Sequence, residues 1–284
     1  PCAQPAAAPA RLTAGAPAAA RGPARSAAAP PLLAVVTVAM PVAVIFVYGG
    51  NWRNAITGAV LGGLIACPIS WFILDKFLFD WGISPLVSNT TSMWVGGIMV
   101  LEICRYLPWI KNPQEKGLEP PGKMNIPPPA GSPGWFVRRA LADLTEGQFY
   151  GSEVACIGLL AGGMISWFLN PGHPVYGSHL FPHVLLAQFI GISVGIYLYF
   201  DQWVENGWYP TFVCAFSTSP AVVLAYDGTI QSIVVGGVVG GVFCAPIAQM
   251  IIRALPDGWH PLIANTFSMA FCTFITLITL KILP

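Results

Sequence analysis

Long apolar stretches, separated by short polar connections, follow one another from about residue 32 to the end of the chain. A helix needs about 20 predominantly apolar residues to cross the hydrocarbon core of a bilayer. Eight stretches come close to that length. They are residues 32–47, 54–74, 86–110, 153–169, 184–203, 211–225, 230–252 and 262–283. The pattern therefore predicts an all-α integral membrane protein with about eight transmembrane helices.

Two segments depart from this pattern. Residues 1–31 are rich in alanine and proline and carry arginine without any acidic residue, a composition that predicts a disordered tail. Residues 111–150 form a long polar connection, in which the proline-rich part, 119–134, predicts extended chain. Residues 135–149 predict a short amphipathic helix that lies in the headgroup layer. A docking surface for a partner is the alternative for that helix.

Two of these stretches are similar in sequence. Residues 48–69 read YGGNWRNAITGAVLGGLIACPI, and residues 226–247 read YDGTIQSIVVGGVVGGVFCAPI. At an offset of 178 they share eight of 22 residues, and five of the eight are glycine or proline. Chance similarity between apolar sequences would instead match leucine, valine and isoleucine. The match indicates an internal duplication.

A second block supports the duplication. Residues 84–93 read SPLVSNTTSM and residues 260–269 read HPLIANTFSM, with six of ten residues identical at an offset of 176. Both blocks occur in the same order, so each repeat contains three helices. Five crossings separate equivalent helices, and this odd number predicts the inverted topology of many secondary transporters. Parallel repeats are the alternative if one intervening segment does not cross.

The duplication divides the chain into five parts. These are a tail, 1–31; a first transmembrane repeat, 32–110; a loop with an amphipathic helix, 111–150; two intervening helices, 151–209; and a second transmembrane repeat, 210–284. By the offset, a counterpart of the fifth span falls inside the tail, where the composition does not predict a helix.

Charge is scarce and unevenly placed. Charged residues make up 9% of the chain, against about 25% in ordinary soluble domains, which excludes a water-soluble globular fold. The net charge of +1 indicates no nucleic-acid partner. Outside the tail, eight of ten basic residues fall on one side by the count of crossings, five of them in 111–150. The positive-inside rule then predicts a multi-pass protein of the cell (inner) membrane with a cytoplasmic loop 111–150.

Glycine and proline in the repeated helices indicate close helix packing. Small residues let membrane helices approach each other, and proline frees a carbonyl group and kinks its helix. We expect this packing role for Gly58, Gly62, Gly63, Gly236, Gly240, Gly241, Pro68 and Pro246.

Polar residues follow Pro85 and Pro261, which suit the first turn of a helix. Polar side chains at this depth are costly, and the free N–H groups and positive dipole end of each helix lie beside them. This chemistry suits an anionic or polar solute, or Na⁺. The candidate binding residues are Asn89, Thr90, Ser92, Asn265, Thr266 and Ser268. Hydrogen bonding that only joins the helices is the alternative.

Two further groups are candidates. Ser217 and Ser219 precede Pro220 inside the sixth span, where they either line a solute path or cap a kink. Glu102 lies in an apolar run, which makes it a candidate proton or cation carrier. Pairing with Arg105, three residues later, is the alternative.

Metal and enzyme chemistry find little support. Seven cysteines are spread along the chain without a CxxC motif, so no metal site or disulfide framework is expected. The histidines at 173, 179 and 183 lie among prolines, which disfavours a helical metal site. No Walker A, HExxH or GxSxG motif occurs. We therefore expect no metal, no catalytic residues and no cofactor other than a coupling Na⁺ or H⁺.

These observations favour a secondary permease that moves a small polar or anionic solute through a site at the interface of the two repeats. Its partners would be the lipid bilayer, the solute and either further copies of the chain or a membrane complex. A non-transporting subunit of a larger membrane complex is the alternative function. An intramembrane enzyme built on Glu102 and the histidines is a weaker third.

Overall fold

The computed structural model describes residues 29–110, 129–147, 149, 151–172, 179–256 and 259–282, with side chains from Ala39 onward. In these residues 82% of the chain is helix, and no strand occurs. Four helices are long and apolar enough to cross a membrane, namely those within Trp52–Trp81, Phe181–Leu198, Ile230–Ala254 and Leu262–Ile282. Most of the tail, the proline-rich residues 119–128 and the histidine at 173 lie outside the described residues.

The first part of the chain forms four helices in the order α1 (Ala29–Tyr48), α2 (Trp52–Ile73), α3 (Phe79–Trp81) and α4 (Pro85–Tyr106). Asn51 caps α2 by accepting a hydrogen bond from the backbone of Asn54. A π-helical turn, Leu74–Leu78, continues α2 into α3, which ends at the left-handed Gly82.

The middle part contains α5 (Pro133–Glu146), α6 (Glu153–Leu169), α7 (Phe181–Leu198) and α8 (Phe200–Asn206). Ser132 and Ser152 cap α5 and α6 through their side-chain oxygens. The predicted amphipathic helix is therefore a helix in the structure. It packs against α6, α7 and the segment that follows α8.

The last part contains a 3-10 helix (Thr211–Phe216), α9 (Thr218–Ala225), α10 (Ile230–Ala254) and α11 (Leu262–Ile282). The sequence pattern over 211–225 predicts one continuous span. In the structure this segment is broken at Ser217, where φ is −143° and ψ is −93°. The nitrogen of Pro220 cannot donate a hydrogen bond. The backbone N–H of Ser217 bonds to the carbonyl of Cys214, and Ser217 Oγ donates to the carbonyl of Val213 at 2.7 Å.

The helices pack as two groups of three. In the first group α1, α2 and α4 contact one another, and in the second the broken segment, α10 and α11 do the same. The groups meet along α4 and α11, which run antiparallel. Val87, near the start of α4, shares a core cluster with Leu277, whereas Leu101, near its end, shares one with Ile263.

Glycines in both groups allow close helix contacts. A Cβ atom on Gly58 would lie 2.6 Å from Pro41 Cα, and one on Gly241 would lie 2.4 Å from the carbonyl oxygen of Gly191 in α7. These distances are far below van der Waals contact, so only glycine fits at either position. The structure thus gives Gly58 and Gly241 a packing environment.

Candidate functional site

The polar segment at the start of α4 is buried and bonded within the protein. Asn89 is 3% exposed, and its side-chain oxygen accepts a hydrogen bond from Ser70 Oγ of α2 at 2.9 Å. The hydroxyls of Thr90 and Ser92 donate to carbonyl groups of their own helix, those of Leu86 and Asn89, at 2.8 Å each. The hydrogen bonds of these side chains are therefore made to one another and to the backbone.

The matching segment of α11 repeats part of this arrangement. Thr266 Oγ1 donates to the carbonyl of Leu262 at 2.8 Å. Its counterpart Thr90 donates in the same way to the carbonyl of Leu86. Ser268 differs from Ser92, because it donates across to the carbonyl of Cys244 in α10 at 2.7 Å. Both hydroxyls are buried.

Asn265 is where the two segments differ most. Its side chain is only 7% exposed, and its Oδ1 atom is buried without a hydrogen-bond partner. A buried polar atom left unsatisfied costs about 1–3 kcal/mol, so such atoms are rare. Its counterpart Asn89 has Ser70 as a donor, and the offset of 178 places Ala248 at the position of Ser70.

The packing register explains this difference. In the first repeat a Cβ atom on Gly96 of α4 would lie 3.0 Å from Ala66 Cβ of α2. The offsets relate these positions to Cys272 of α11 and Cys244 of α10, whose side chains are also in contact. The two helix pairs therefore share one register, which directs Ala248 toward Asn265. A methyl group cannot donate a hydrogen bond.

The two asparagines do not meet. Trp94 of α4 and Phe267 of α11 lie edge to face, with ring centroids 5.2 Å apart, between them. Asn89 lies five residues before Trp94 and Asn265 two residues before Phe267. At 1.5 Å per residue along antiparallel helices, the asparagines are roughly 10 Å apart along the helix contact.

The N-termini of both helices are capped by their own residues. Ser84 Oγ accepts from the backbone N–H of Leu86 at 3.3 Å, and His260 Nδ1 accepts from that of Leu262 at 3.0 Å. These bonds occupy N–H groups that we expected to be free for an anion. The feature left to a ligand is therefore the acceptor on Asn265.

The serines near the break in 211–225 are buried and bonded. Ser217 and Ser219 are each 0% exposed, and Ser219 Oγ donates to the carbonyl of Gly236 at 3.2 Å. Thr218 lies between them, with its hydroxyl 3.2 Å from that of Thr273 in α11. Gln188 of α7 donates to the carbonyl of Ala215 at 2.6 Å, which satisfies backbone freed by the break.

Glu102 pairs with Arg105 at 3.1 Å, and its side chain is 35% exposed. Both residues line a cavity of about 40 Å³ beside Tyr48 and Trp259. A space of this size holds a water molecule but not an organic solute. The geometry places Glu102 in the surface pairing that was the alternative to a carrier role.

A second charged site was missed by the sequence analysis. Three side chains of α5, which we call the charge cluster, are Arg139, Asp143 and Glu146. Their exposed fractions are 5%, 0% and 10%. Arg139 Nε lies 2.8 Å from Asp143 Oδ1, and its Nη2 contacts both carboxylates.

Neighbouring elements complete the coordination of the charge cluster. Thr211 Oγ1, at the start of the 3-10 helix, donates to Asp143 Oδ2 at 2.5 Å, and Trp208 Nε1 donates to Glu146 Oε2 at 3.2 Å. The Arg139 guanidinium lies over the ring of Trp203, 4.4 Å from its centroid.

Burial and the neighbouring Asp143 carboxylate raise the pKa of Glu146 to about 8, more than the attraction of Arg139 lowers it. Burial also raises the pKa of Asp143 above its ordinary value, although Arg139 and Thr211 oppose this effect. One guanidinium does not balance two buried carboxylates.

One signal in the sequence indicates this cluster. Arg139, Asp143 and Glu146 have the spacing i, i+4, i+7, which aligns them on one face of a helix. The amphipathic pattern predicts a helix in the headgroup layer, with its charged face outward. The packing of α5 beneath Trp203 and Trp208 turns the face inward instead.

Comparison with known proteins gave no match to the chain among family models, curated protein sequences or solved structures.

Proposed function

We propose that the protein is a multi-pass membrane transporter, a secondary permease for a small polar solute, with its site at Asn265, where α11 packs against α10. The observation that carries this proposal is the buried, unpartnered Oδ1 atom of Asn265. A protein that needed only to join two helices would be more stable with that atom bonded, as Asn89 is by Ser70.

The arrangement of the helices supports an inverted repeat of three helices on each side. The equivalent helices α4 and α11 run antiparallel and form the contact between the two groups. The broken segment 211–225 supports the same class, because discontinuous helices form the sites of many secondary transporters. The four long apolar helices, the three shorter apolar ones and α4 together would form the eight spans.

The unpartnered Oδ1 atom of Asn265 also limits which classes of solute could bind. An amide oxygen is an acceptor, so it binds hydroxyl, amino or ammonium groups, or Na⁺. The capped N-termini of α4 and α11 offer less to a purely anionic solute than the sequence suggested. We therefore favour a neutral or zwitterionic solute that carries a hydrogen-bond donor.

The test begins with purified protein in detergent and thermal-shift measurements over sugars, polyols, amino acids and small carboxylates, each with and without Na⁺. A radiolabelled form of any stabilising solute is then assayed for uptake into proteoliposomes. Ala248→Ser gives Asn265 an internal donor and is expected to weaken solute binding at least tenfold. Ala248→Cys is the matched control, since it adds similar bulk with a weak donor.

Loss of binding in Ala248→Ser but not in Ala248→Cys, together with uptake by the wild type, supports the proposal. Equal binding by both variants contradicts the site. Absence of uptake for every stabilising solute contradicts the function.

A subunit of a larger membrane complex is the second candidate. The observation that favours it is α6, which packs on α5 and leaves large apolar side chains outward, including Val154, Ile165 and Phe168 at 73%, 62% and 80% exposed. A stoichiometric partner that stays bound through purification and is released by Ile165→Asn would favour this function.

A further inference from the structure

We infer that the charge cluster of α5 is a proton-binding site, in which Glu146 takes up a proton from water and returns it to water. The inference does not depend on the transport proposal, because proton binding can be measured without a solute. No other bond forms or breaks when the proton moves.

The charge balance is the first argument. Arg139 contributes one positive charge and the ionised forms of Asp143 and Glu146 contribute two negative charges, so the fully ionised cluster carries a net charge of −1. Every ion pair that these two carboxylates make within the described residues comes from Arg139. A buried net charge is costly, and one proton removes it.

The geometry selects Glu146 as the residue that holds the proton. Asp143 contacts two guanidinium nitrogens of Arg139 and accepts from Thr211, three contacts that favour its ionised form. Glu146 has only two such contacts, from one guanidinium nitrogen of Arg139 and from Trp208. Glu146 is the last residue of α5, where the negative end of the helix dipole disfavours a second negative charge.

Glu146 is also placed for exchange with water. Its side chain is 10% exposed, whereas that of Asp143 is fully buried. The ring of Phe216 covers the next residue so closely that a Cβ atom on Gly147 would lie 2.6 Å from it. The site is therefore shielded on the protein side and open at its edge.

The charged groups on the surrounding described elements are paired or exposed. On α8, whose Trp203 covers Arg139, both Asp201 and Glu205 are exposed. On α6, Glu153 pairs with Arg138 at 2.6 Å on the outside of the helix. On α7, His183 contacts Gly228 and Tyr197 is 78% exposed. On the 3-10 helix, the thiol of Cys214 lies near Asp143 and bonds to the carbonyl of Thr211 at 3.4 Å.

The site adjoins the broken segment. Thr211, which donates to Asp143, is the first residue of the 3-10 helix that leads to the break at Ser217. A proton on Glu146 weakens its bond to Arg139, which then pairs with Asp143 alone, the carboxylate to which Thr211 donates. Its gain or loss is thereby transmitted to the 3-10 helix of the second repeat.

The experiment is pH-difference infrared spectroscopy on the full chain in lipid nanodiscs. A protonated carboxyl has its own C=O stretching band. We expect this band in the wild type to disappear with a midpoint near pH 8 and to be absent in Glu146→Gln. In Glu153→Gln, the control on the exposed ion pair, the band should remain unchanged.

Trp208→Phe provides a second variant if Glu146→Gln does not fold. It removes the donor to Glu146 Oε2, which favours the ionised form, and should therefore raise the midpoint. Three results would overturn the inference: no protonated-carboxyl band at neutral pH, a band that persists in Glu146→Gln, or a band that NaCl removes at fixed pH and KCl does not. The last result would identify Na⁺ as the occupant.

Discussion

Two segments occupy matching positions in the two groups of helices and have different backbones. Helix α1 continues from Ala29 to Tyr48 through Pro41, whereas residues 211–225 form a 3-10 helix, a break at Ser217 and then α9. Each contacts the next two helices of its own group. The sequence offset of 178 places residues 211–225 opposite residues 33–47, which lie within α1.

The difference lies in what surrounds each segment. Residues 211–225 are held by Asp143, which accepts from the hydroxyl of Thr211, and by Gln188, which donates to a carbonyl, that of Ala215, which a regular helix would bond itself. They also lie against Gly191 of α7. The comparison teaches that a local backbone is set by its neighbours as much as by its own residues.

Raising the pH should have the largest effect on stability, and it should destabilise the second repeat. The pKa of Glu146 is about 8 in the folded protein against an ordinary value of 4.5. Between these pH values the folded state keeps a proton that the unfolded state has released, so stability falls as pH rises and levels off above about 8. Thermal unfolding of the wild type and Glu146→Gln measures this loss, which the variant should lack.

Hydrogen exchange localises the same effect. Protection of 211–216 should fall as pH rises through this range, once the intrinsic pH dependence of exchange is removed, and protection of 39–48 should not. Glu153→Gln should behave as the wild type. A parallel loss of protection in both segments would contradict the comparison.

Gly241→Ala should have the next largest effect. The added Cβ atom would lie 2.4 Å from a backbone oxygen of α7, which cannot rotate away, so we expect a loss of about 1–3 kcal/mol. Gly158→Ala is the control, because nothing lies within 4 Å of that position and alanine favours a helix by up to about 1 kcal/mol. Denaturant unfolding in mixed micelles measures both, and equal stabilities would contradict the packing described for α7 and α10.

Ser70→Ala should have the smallest effect. The substitution removes the donor to Asn89, so that Asn89 Oδ1 is left without a partner, as Asn265 Oδ1 is. We expect the free energy of unfolding to fall by about 0.5–1.5 kcal/mol. Ala248→Ser should change stability in the opposite direction, because it supplies the donor that Asn265 lacks. The melting temperatures of the two variants test this pair of signs, and two changes of the same sign would refute the proposed register.

The hydrophobic pattern of the sequence predicts most of the fold. The predicted residues 153–169 coincide with α6, and 262–283 differs from α11 by one residue. Apolar periodicity and terminal residues such as Pro85 carry this information locally. The sequence indicates a kink at Pro220 but not the 3-10 helix over 211–216, because the residues that hold this helix, Asp143 and Gln188, are distant in the sequence.

The sequence names Asn89 and Asn265 as candidate site residues, but it does not show that only one of them has a hydrogen-bond donor. The repeat identified Asn89 and Asn265 as equivalent, and both are buried. Only the packing of α10 on α11 relates Ala248 to Asn265 and so distinguishes the two asparagines. The charge cluster was missed because the sequence alone does not tell whether the charged face of α5 points toward water or toward the protein.

The glycine contacts between α7 and α10 also determine which parts of the protein can move together. Gly191 and Gly241 bring the two backbones into direct contact, and Gly237 lies against Ala187. Ile190 and Val194 of α7 pack directly against Gly237 and Gly241, so the two helices cannot slide past each other in small steps. We expect α7 and α10 to behave as one rigid body, so that any change of shape takes place where side chains interdigitate, at Trp94 and Phe267.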